Sequence, residues 1–414
     1  MSEDLNEDQL KAFEKVKSGK SVFISGSAGV GKSFTIENIV KWATEAGKAI
    51  GVTALTGMAA ITISGRTLHS FLGIGLAKKS SGDLYHYVKR KFPATAVRLR
   101  NLNILIIDEI SMMSAELMDK ISEYLQLFRN SLRPFGGVQV VLCGDMCQLP
   151  PVDGDYCFNS ETWKQLNPEI CILSKIMRQK DDETFRNILE DARFGVCTEE
   201  SLKILKAQRN QTFGEIRPTI LYSKNINVDA INLEEYNKLM TEERVYSSTF
   251  SKNKHSKQWA ESLKIPEKVG VKIGAQMMLT ANLSPDDGYA NGTRCMVTGF
   301  AEDGPIVVFK DGSQLIITPF VYSDESSNSD ESKTSEDDTI SVSSMPLKLA
   351  YALTIHKSQS MTLDAAVIDI GPSIFAHGQA YTALSRVRDL KSVRVINVSK
   401  DAFKVHPDVV DFYK

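Results

Sequence analysis

Short apolar runs recur along the chain, separated by stretches in which apolar residues return every three or four positions. Residues 21–26 (SVFISG), 49–54 (AIGVTA), 103–109 (NILIIDE) and 138–145 (VQVVLCGD) are apolar on both faces of an extended chain. Such runs are the mark of parallel strands covered by helices on both sides. Residues 115–128 instead place Leu117, Ile121, Leu125 and Phe128 on one helical face, with Ser114 as N-cap. Apolar runs resume at 219–223, 365–371 and 393–398. The pattern predicts an α/β protein with two parallel sheets, one on each side of about residue 175.

Two stretches interrupt this alternation. Residues 73–98 are basic and contain Gly and Ser, which suggests a small insertion on the first sheet domain. Residues 267–345 carry short strand-like runs between Gly-containing turns, the pattern of a small β-barrel or meander. Within it, the acidic, Ser-rich segment 323–338 has too little apolar surface to bury and reads as a solvated loop, open to phosphorylation as a second reading.

Composition narrows the class. The 414 residues are 42% hydrophobic and 24% charged, with a net charge of −2. The length exceeds a single core, and no apolar run is long enough to span a membrane. The acidic start, MSEDLNEDQ, resembles neither a secretory signal nor a transit peptide, so an intracellular, soluble protein with no membrane partner is expected. The six cysteines lack the paired spacing of a zinc site and predict free thiols. A nucleic-acid site would have to be a local groove, because the chain as a whole is not basic.

The strongest chemical signal is GSAGVGKS at 26–33, which matches G-x-x-x-x-G-K-[ST] between a strand and a helix. Backbone amides of such a loop wrap phosphate oxygens, and the following helix N-terminus adds partial positive charge. Gly26, Ala28, Gly29, Val30, Gly31 and Phe34 would cradle ATP, Lys32 would reach the β- and γ-phosphates, and Ser33 would ligate Mg²⁺. Asp108 and Glu109 end a buried strand, where open α/β sheets bind ligands. Asp108 would hold the metal and Glu109 would orient the attacking water. Gln148, just past another strand, could touch the γ-phosphate or that water. Gln9 could meet an adenine edge, although Asn6 and Gln9 also have capping-box spacing. Arg178 and Arg386, both in the expected second sheet domain, suit arginine fingers.

Eight segments in order carry a family resemblance: GSAGVGKS, TALTGMAAITISGRTLHSF, IIDEISMM, GDMCQLPPV, LSKIMRQKD, GAQMMLTANL with YANGTRCMVTGF, LTIHKSQSMTL and GQAYTALSRVRDL. Together they resemble the PIF-one-like DNA helicases of helicase superfamily one, relatives of RecD and the phage Dda helicase. The likeness runs from about residue 5 to 398. It implies two RecA-like P-loop domains, with a wedge insertion in the first and an SH3-like β-barrel in the second. On that basis residues 1–174 form the first domain, 175–280 with 346–414 the second, and 281–345 the barrel. The resemblance also implies ATP-dependent 5′→3′ movement on single-stranded DNA and unwinding of forked duplex in replication, recombination or repair. Gln148, Arg178 and Arg386 would sense the γ-phosphate. Monomeric action, a site of DNA replication (host nucleus or cytoplasm if viral) and a minimal, viral-like core are further expectations; replication-protein partners are unspecified.

In that setting Thr56, Thr67, His69 and Phe71 are candidates for the DNA track, with Phe71 also reading as core. Asn282 and Asn291 flank the barrel, the latter in an Asn-Gly turn. Thr354, His356 and Lys357 would meet DNA phosphates and Gln359 would relay nucleotide state. Ser360 departs from the family, whose members usually carry Gly there; it implies ordinary backbone or left-handed strain. Other readings of the same motifs are a translocase that remodels nucleoprotein without unwinding, a nucleotide-gated switch, or an enzyme acting on RNA-containing duplexes.

Overall fold

The structure, a computed structural model, describes residues 5–75, 77–176, 182–213, 217–223, 228–284, 289, 291–323 and 340–414. These fall into two compact units. The first holds the chain to Met146 and resumes at Pro150; the second holds Cys147–Leu149 and the described residues from 182 onward.

In the first unit, β1 (Val22–Ser25), β2 (Ile50–Ala54), β3 (Arg66–Thr67), β4 (Ile104–Asp108), β5 (Gln139–Gly144) and β6 (Glu169–Ile172) form one parallel sheet in the order β3-β2-β4-β5-β1-β6. All residues of β1 and β4 are buried, as the doubly apolar runs require. The helices are α1 (Glu7–Lys17), α2 (Lys32–Glu45), α3 (Gly57–Thr62), α4 (Leu68–Leu72), α5 (Ser81–Lys91), α6 (Pro93–Asn101), α7 (Ala115–Arg129) and α8 (Glu161–Leu166). Helix α7 starts where the Ser114 hydroxyl accepts from Leu117 N–H, and it buries Ile121, Leu125 and Phe128. Tyr124 is buried there too, outside the predicted stripe, because its hydroxyl donates to the Leu72 carbonyl at 2.8 Å.

The stretch 73–98 folds as α5 and α6, started by the Ser80 cap and by Pro93. Ser81, Leu84 and Val88 form the buried face of α5. Ser81 fixes that face against α7 by donating to the Lys120 carbonyl and the Glu123 carboxylate.

The second unit contains β7 (Thr219–Tyr222), β8 (Glu243–Ser247), β9 (Thr249–Phe250), β10 (Lys268–Lys272), β11 (Gln276–Leu279), β12 (Arg294–Phe300) and β13 (Pro305–Phe309). It continues with β14 (Gln314–Ile316), β15 (Phe320–Ser323), β16 (Ser341–Ser344), β17 (Leu347–Leu349), β18 (Ala352–Thr354), β19 (Ala366–Ile370) and β20 (Val393–Val398). Its helices are α9 (Glu183–Arg193), α10 (Glu199–Ala207), α11 (Val228–Asn237), α12 (Ser256–Ser262), α13 (Gln379–Leu384) and α14 (Pro407–Phe412). Strands β18-β7-β19-β20 form a second parallel sheet.

The remaining strands pair antiparallel, as a five-stranded sheet β14-β13-β12-β11-β17, a ribbon β10-β8 and a three-stranded sheet β15-β16-β9. A shared core of Val271, Met277, Cys295, Val307, Phe309 and Leu347 joins the first two. Among the described residues no ladder closes these strands into a barrel, and β8 and β9 enter from ahead of the stretch expected to hold it. Arg294, 1% exposed, ties β12 to the approach to β19 through a two-pronged ion pair with Asp364, 2.6 and 3.1 Å long. The acidic segment 323–338 lies outside the described residues except for Ser323, which ends β15.

Among the described residues all six cysteines are free, and no helix is long and apolar enough to cross a membrane.

Candidate functional site

Strand order sets the geometry of the first unit's site. β5 lies between β1 and β4, so the loop after β1 and the acids after β4 flank the tip of β5 at the same edge. Two glycines make the loop possible. Gly26 has φ +149°, and a Cβ there would collide with the Leu173 carbonyl oxygen. Gly31, at φ +85°, is the N-cap of α2, and a Cβ there would lie 2.5 Å from Gln9 Nε2. No side chain caps α2, so its first amides face outward as an anion site. The Lys32 ammonium lies across the loop, donating to the carbonyls of Gly26 (2.8 Å) and Ser27 (3.0 Å). Ser33 and Phe34 follow on the first turn, with the Phe34 ring exposed; Ala28 and Val30 bury their side chains and leave their backbone to the loop.

Asp108 is the buried last residue of β4. Burial pushes its carboxyl up to about 7; Glu109 beside it adds to the rise, and Lys32 and the Cys143 thiol oppose it. Its Oδ1 accepts the Glu109 N–H at 2.8 Å. Glu109 itself holds a left-handed backbone, φ +56°, a conformation that concentrates at functional sites. The Cys143 thiol, itself raised well above its ordinary range by burial, is a neighbour that motif reading had no means to find.

The capping-box reading of Gln9 holds, and the other end of its amide turns to the glycine loop. Asn6 and Gln9 form the full capping box of α1, and the Gln9 Nε2 donates to the carbonyls of Val30 and Gly31, 3.4 Å each. Thr56 and Thr67 are N-caps, accepting from Ala59 N–H and Ser70 N–H; each keeps a hydroxyl proton to donate. Burial lowers the His69 pKa, favouring the uncharged ring. Phe71 corrects the expectation of a stacking platform: it is fully buried, against Gly51 and the Arg98 guanidinium, 4.6 Å from its ring centre.

Within the second unit the candidates gather beyond β18. The Thr354 hydroxyl accepts from Lys357 N–H at 3.1 Å and shapes a 3₁₀ turn over His356–Ser358. Burial also lowers the His356 pKa. Lys357 is exposed and lies 3.4 Å from Asp229. Lys348, on β17, was not anticipated: burial and nearby Lys357 lower its ammonium to about 8, and the only hint in the sequence is a lysine inside an apolar strand. Buried Gln359 donates to the Gln148 side-chain oxygen at 3.4 Å.

Ser360 has φ +66°, so the strained alternative holds. Gln359 has φ −57° and ψ 143°, and Met361 N–H donates to the Ser358 carbonyl at 3.1 Å. This is a type II turn whose third position ordinarily takes Gly. Arg386, 2% exposed, clasps the turn: Nη1 donates to the carbonyls of Ser358 and Met361, Nε to Thr382 O and Nη2 to Ser385 Oγ. Asn282 accepts from Asn291 N–H at 2.9 Å, a loop closure that sequence alone read as a turn. Arg178 lies outside the described residues.

The parallel sheet, glycine loop and strand-end acids define the class: a P-loop nucleotide-binding protein. Residues 4–202 match the family described as PIF1-like helicase, and residues 264–300 match the 2B domain of DNA helicase Pif1. The chain belongs to the PIF1-like helicase family. It is 35% identical to human ATP-dependent DNA helicase PIF1 over 99% of this chain and 63% of that protein. It is 34% identical to ATP-dependent DNA helicase Pif1 of Bdellovibrio bacteriovorus, covering 99% of this chain and 92% of the relative. The crystal structure of Bacteroides sp Pif1 in complex with ADP-AlF4 superposes with a TM-score of 0.80 at 29% identity, covering 99% of this chain and 96% of that one. The chain spans less than two thirds of the length of the mammalian relatives it matches.

Proposed function

We propose that this chain is an ATP-driven DNA helicase that moves 5′→3′ along single-stranded DNA and opens forked duplex. The observation that carries the reading is the meeting of Lys32, Asp108 and Glu109 at one sheet edge, in a chain that aligns almost end to end with proteins named ATP-dependent DNA helicases. The amides of the loop and of the α2 N-terminus bind the phosphates, with Lys32 on the β- and γ-oxygens. Gln9, Phe34 and Gln359 complete the nucleotide contacts. Glu109 orients the attacking water, and Gln148, Arg178 and Arg386 respond to charge on the γ-phosphate.

The Ser33 hydroxyl and Asp108 carboxylate are hard oxygen donors that fit Mg²⁺, an ion that keeps much of its shell as water and phosphate. The raised Asp108 pKa fits it too, since a carboxylate buried beside another acid is stabilised by a cation. When bound, Mg²⁺ neutralises charge on the phosphates. Thr56, Thr67, His69, Thr354, His356, Lys357 and Asn282 supply polar and cationic groups for a DNA backbone, which carries no sequence information.

The test is unwinding of forked duplexes bearing only a 5′ or only a 3′ single-stranded tail, together with ATP turnover with and without single-stranded DNA. Opening of the 5′-tailed substrate alone, with DNA-stimulated turnover, is the expected result. Turnover that DNA does not raise would leave a nucleotide-gated switch in place of a motor.

A further inference from the structure

Lys348, on β17, is a charged group that the proposed function leaves without a task. Strand register fixes the face it stands on. Leu347 and Leu349 pair with Leu279 and Met277 and face the apolar core, so Lys348 lies on the opposite face, in one row with Met278 and Arg294. Helix α11 runs beside the junction of β17 and β18. Its Asn232 accepts the Tyr351 and Ala352 N–H groups and donates to the Ala352 carbonyl. Asp229, three positions earlier on the same face of α11, lies 3.4 Å from the Lys357 ammonium, on the 3₁₀ turn after β18. Lys348 and Lys357 therefore converge, near enough for the charge of one to disfavour the charge of the other.

The neighbouring groups leave that pair of charges unanswered. Among the described residues no hydrogen bond or ion pair reaches Lys348. Asp229 is exposed and already beside Lys357. Glu235, further along α11, is taken up by Arg217 and Lys238. Arg294, the other cation in the row, is paired with Asp364. On the turn, burial favours the uncharged ring of His356. A partly buried ammonium without a counter-ion is costly, and a second ammonium beside it adds repulsion. One anion shared by the two lysines removes both penalties.

The surroundings choose the anion. Thr354 and His356, on the strand end and turn that carry Lys357, are polar groups suited to a nucleic-acid backbone. A phosphodiester is a monoanion with two free oxygens, one for each ammonium, so it can bridge the pair without bringing a second charge.

We infer that Lys348 and Lys357 hold one backbone phosphate of the single strand between them, with Lys348 as the inner member of the pair. This rests on the reading of the chain as a DNA helicase. Two variants test it, Lys348→Met, which keeps the length of the side chain and removes its charge, and Lys348→Arg, which keeps the charge. Binding of a fluorescent oligo-dA strand is measured from about pH 7 to about pH 9, beside thermal unfolding without DNA.

At the acid end of that range Lys348→Met should bind about tenfold more weakly than the wild-type protein, the loss of one charged hydrogen bond. Burial and Lys357 put the Lys348 ammonium at about 8, so wild-type affinity is full below that value and falls as pH rises through it. The gap to Lys348→Met should therefore close toward the alkaline end. Lys348→Arg, charged throughout, should bind like the wild-type protein at the acid end and keep its affinity at the alkaline end. Without DNA, Lys348→Met should unfold no earlier than the wild-type protein, because it removes an unanswered charge. Equal binding by Lys348→Met and the wild-type protein, or a gap that does not narrow with pH, would overturn the site. Earlier unfolding of Lys348→Met with affinity lost in Lys348→Arg as well would overturn it too, leaving the lysine a packing role. Failure of the wild-type protein to bind oligo-dA at any pH is a separate result that removes the helicase reading along with the site.

Discussion

Replacing Ser360 by glycine removes a side chain from the third position of a type II turn while leaving every backbone hydrogen bond of that turn available. The turn has little room to relax. Met361 N–H closes it onto the Ser358 carbonyl, and the Arg386 guanidinium holds both the Ser358 and Met361 carbonyls from a buried position. Ser360 is thus kept at φ +66°, where a Cβ costs about 1–2 kcal/mol. Glycine relieves that strain but adds freedom to the unfolded chain, worth about 0.5–1 kcal/mol in the opposite sense. The net expectation is a gain of about 0.5–1 kcal/mol, or a rise of roughly 1–4 °C in the unfolding midpoint.

Thermal unfolding of Ser360→Gly beside Ser360→Ala isolates the backbone, because alanine loses the hydroxyl but keeps the Cβ. Glycine should be the more stable of the two, with DNA-stimulated turnover unchanged. If glycine unfolds no later than alanine, the strain argument fails. A large increase in turnover would instead make the serine a brake on coupling.

Four further outcomes follow from the site. Lys32→Ala should abolish ATP turnover while DNA binding stays measurable; retained turnover would remove the phosphate assignment. Asp108→Asn should also abolish turnover yet stabilise the metal-free protein. The wild-type carboxyl, raised to about 7, contributes stability below pH ~4 that is lost as pH climbs to ~7, so the gap in unfolding midpoint, measured in chelator, should widen over that window. Phe71→Leu should cost about 1–2 kcal/mol of stability and leave single-strand affinity within about threefold, and a tenfold loss would restore the stacking role. Arg386→Ala should lower stability by about 2–4 kcal/mol through the loss of its buried bonds, and unchanged denaturant unfolding would show that the turn does not depend on them.

Both parallel sheets were legible because their strands are buried on two faces, and uninterrupted runs such as ILIID have few other uses. The loop at 26–33 was equally plain, since its glycines, Lys32 and Ser33 are fixed by phosphate geometry rather than by neighbours far along the chain. The helical character of 73–98 was hidden by its Gly, Ser and Lys content; a Ser cap, a Pro start and a few buried residues, three on α5 and two on α6, sufficed to form the helices. Phe71 was ambiguous for a related reason. Its burial depends on Gly51 and Arg98, neither of which announces itself as a partner. Local spacing likewise could not choose between the two backbones open to Ser360, because the choice is made by Arg386, twenty-six positions away in sequence.

The double engagement of Gln9 bears on which variants of this chain can survive. An ordinary capping box accepts Glu at this position as readily as Gln, since only the acceptor oxygen is used. Here the other end of the same amide must donate to the Val30 and Gly31 carbonyls. A carboxylate would keep the start of α1 and present repulsive oxygen to oxygen at the loop. Position 9 is therefore an isosteric filter: Gln9→Glu differs by one atom and should preserve the helix while deforming the loop, so genetic tolerance here reports on the phosphate cradle rather than on the helix that carries it.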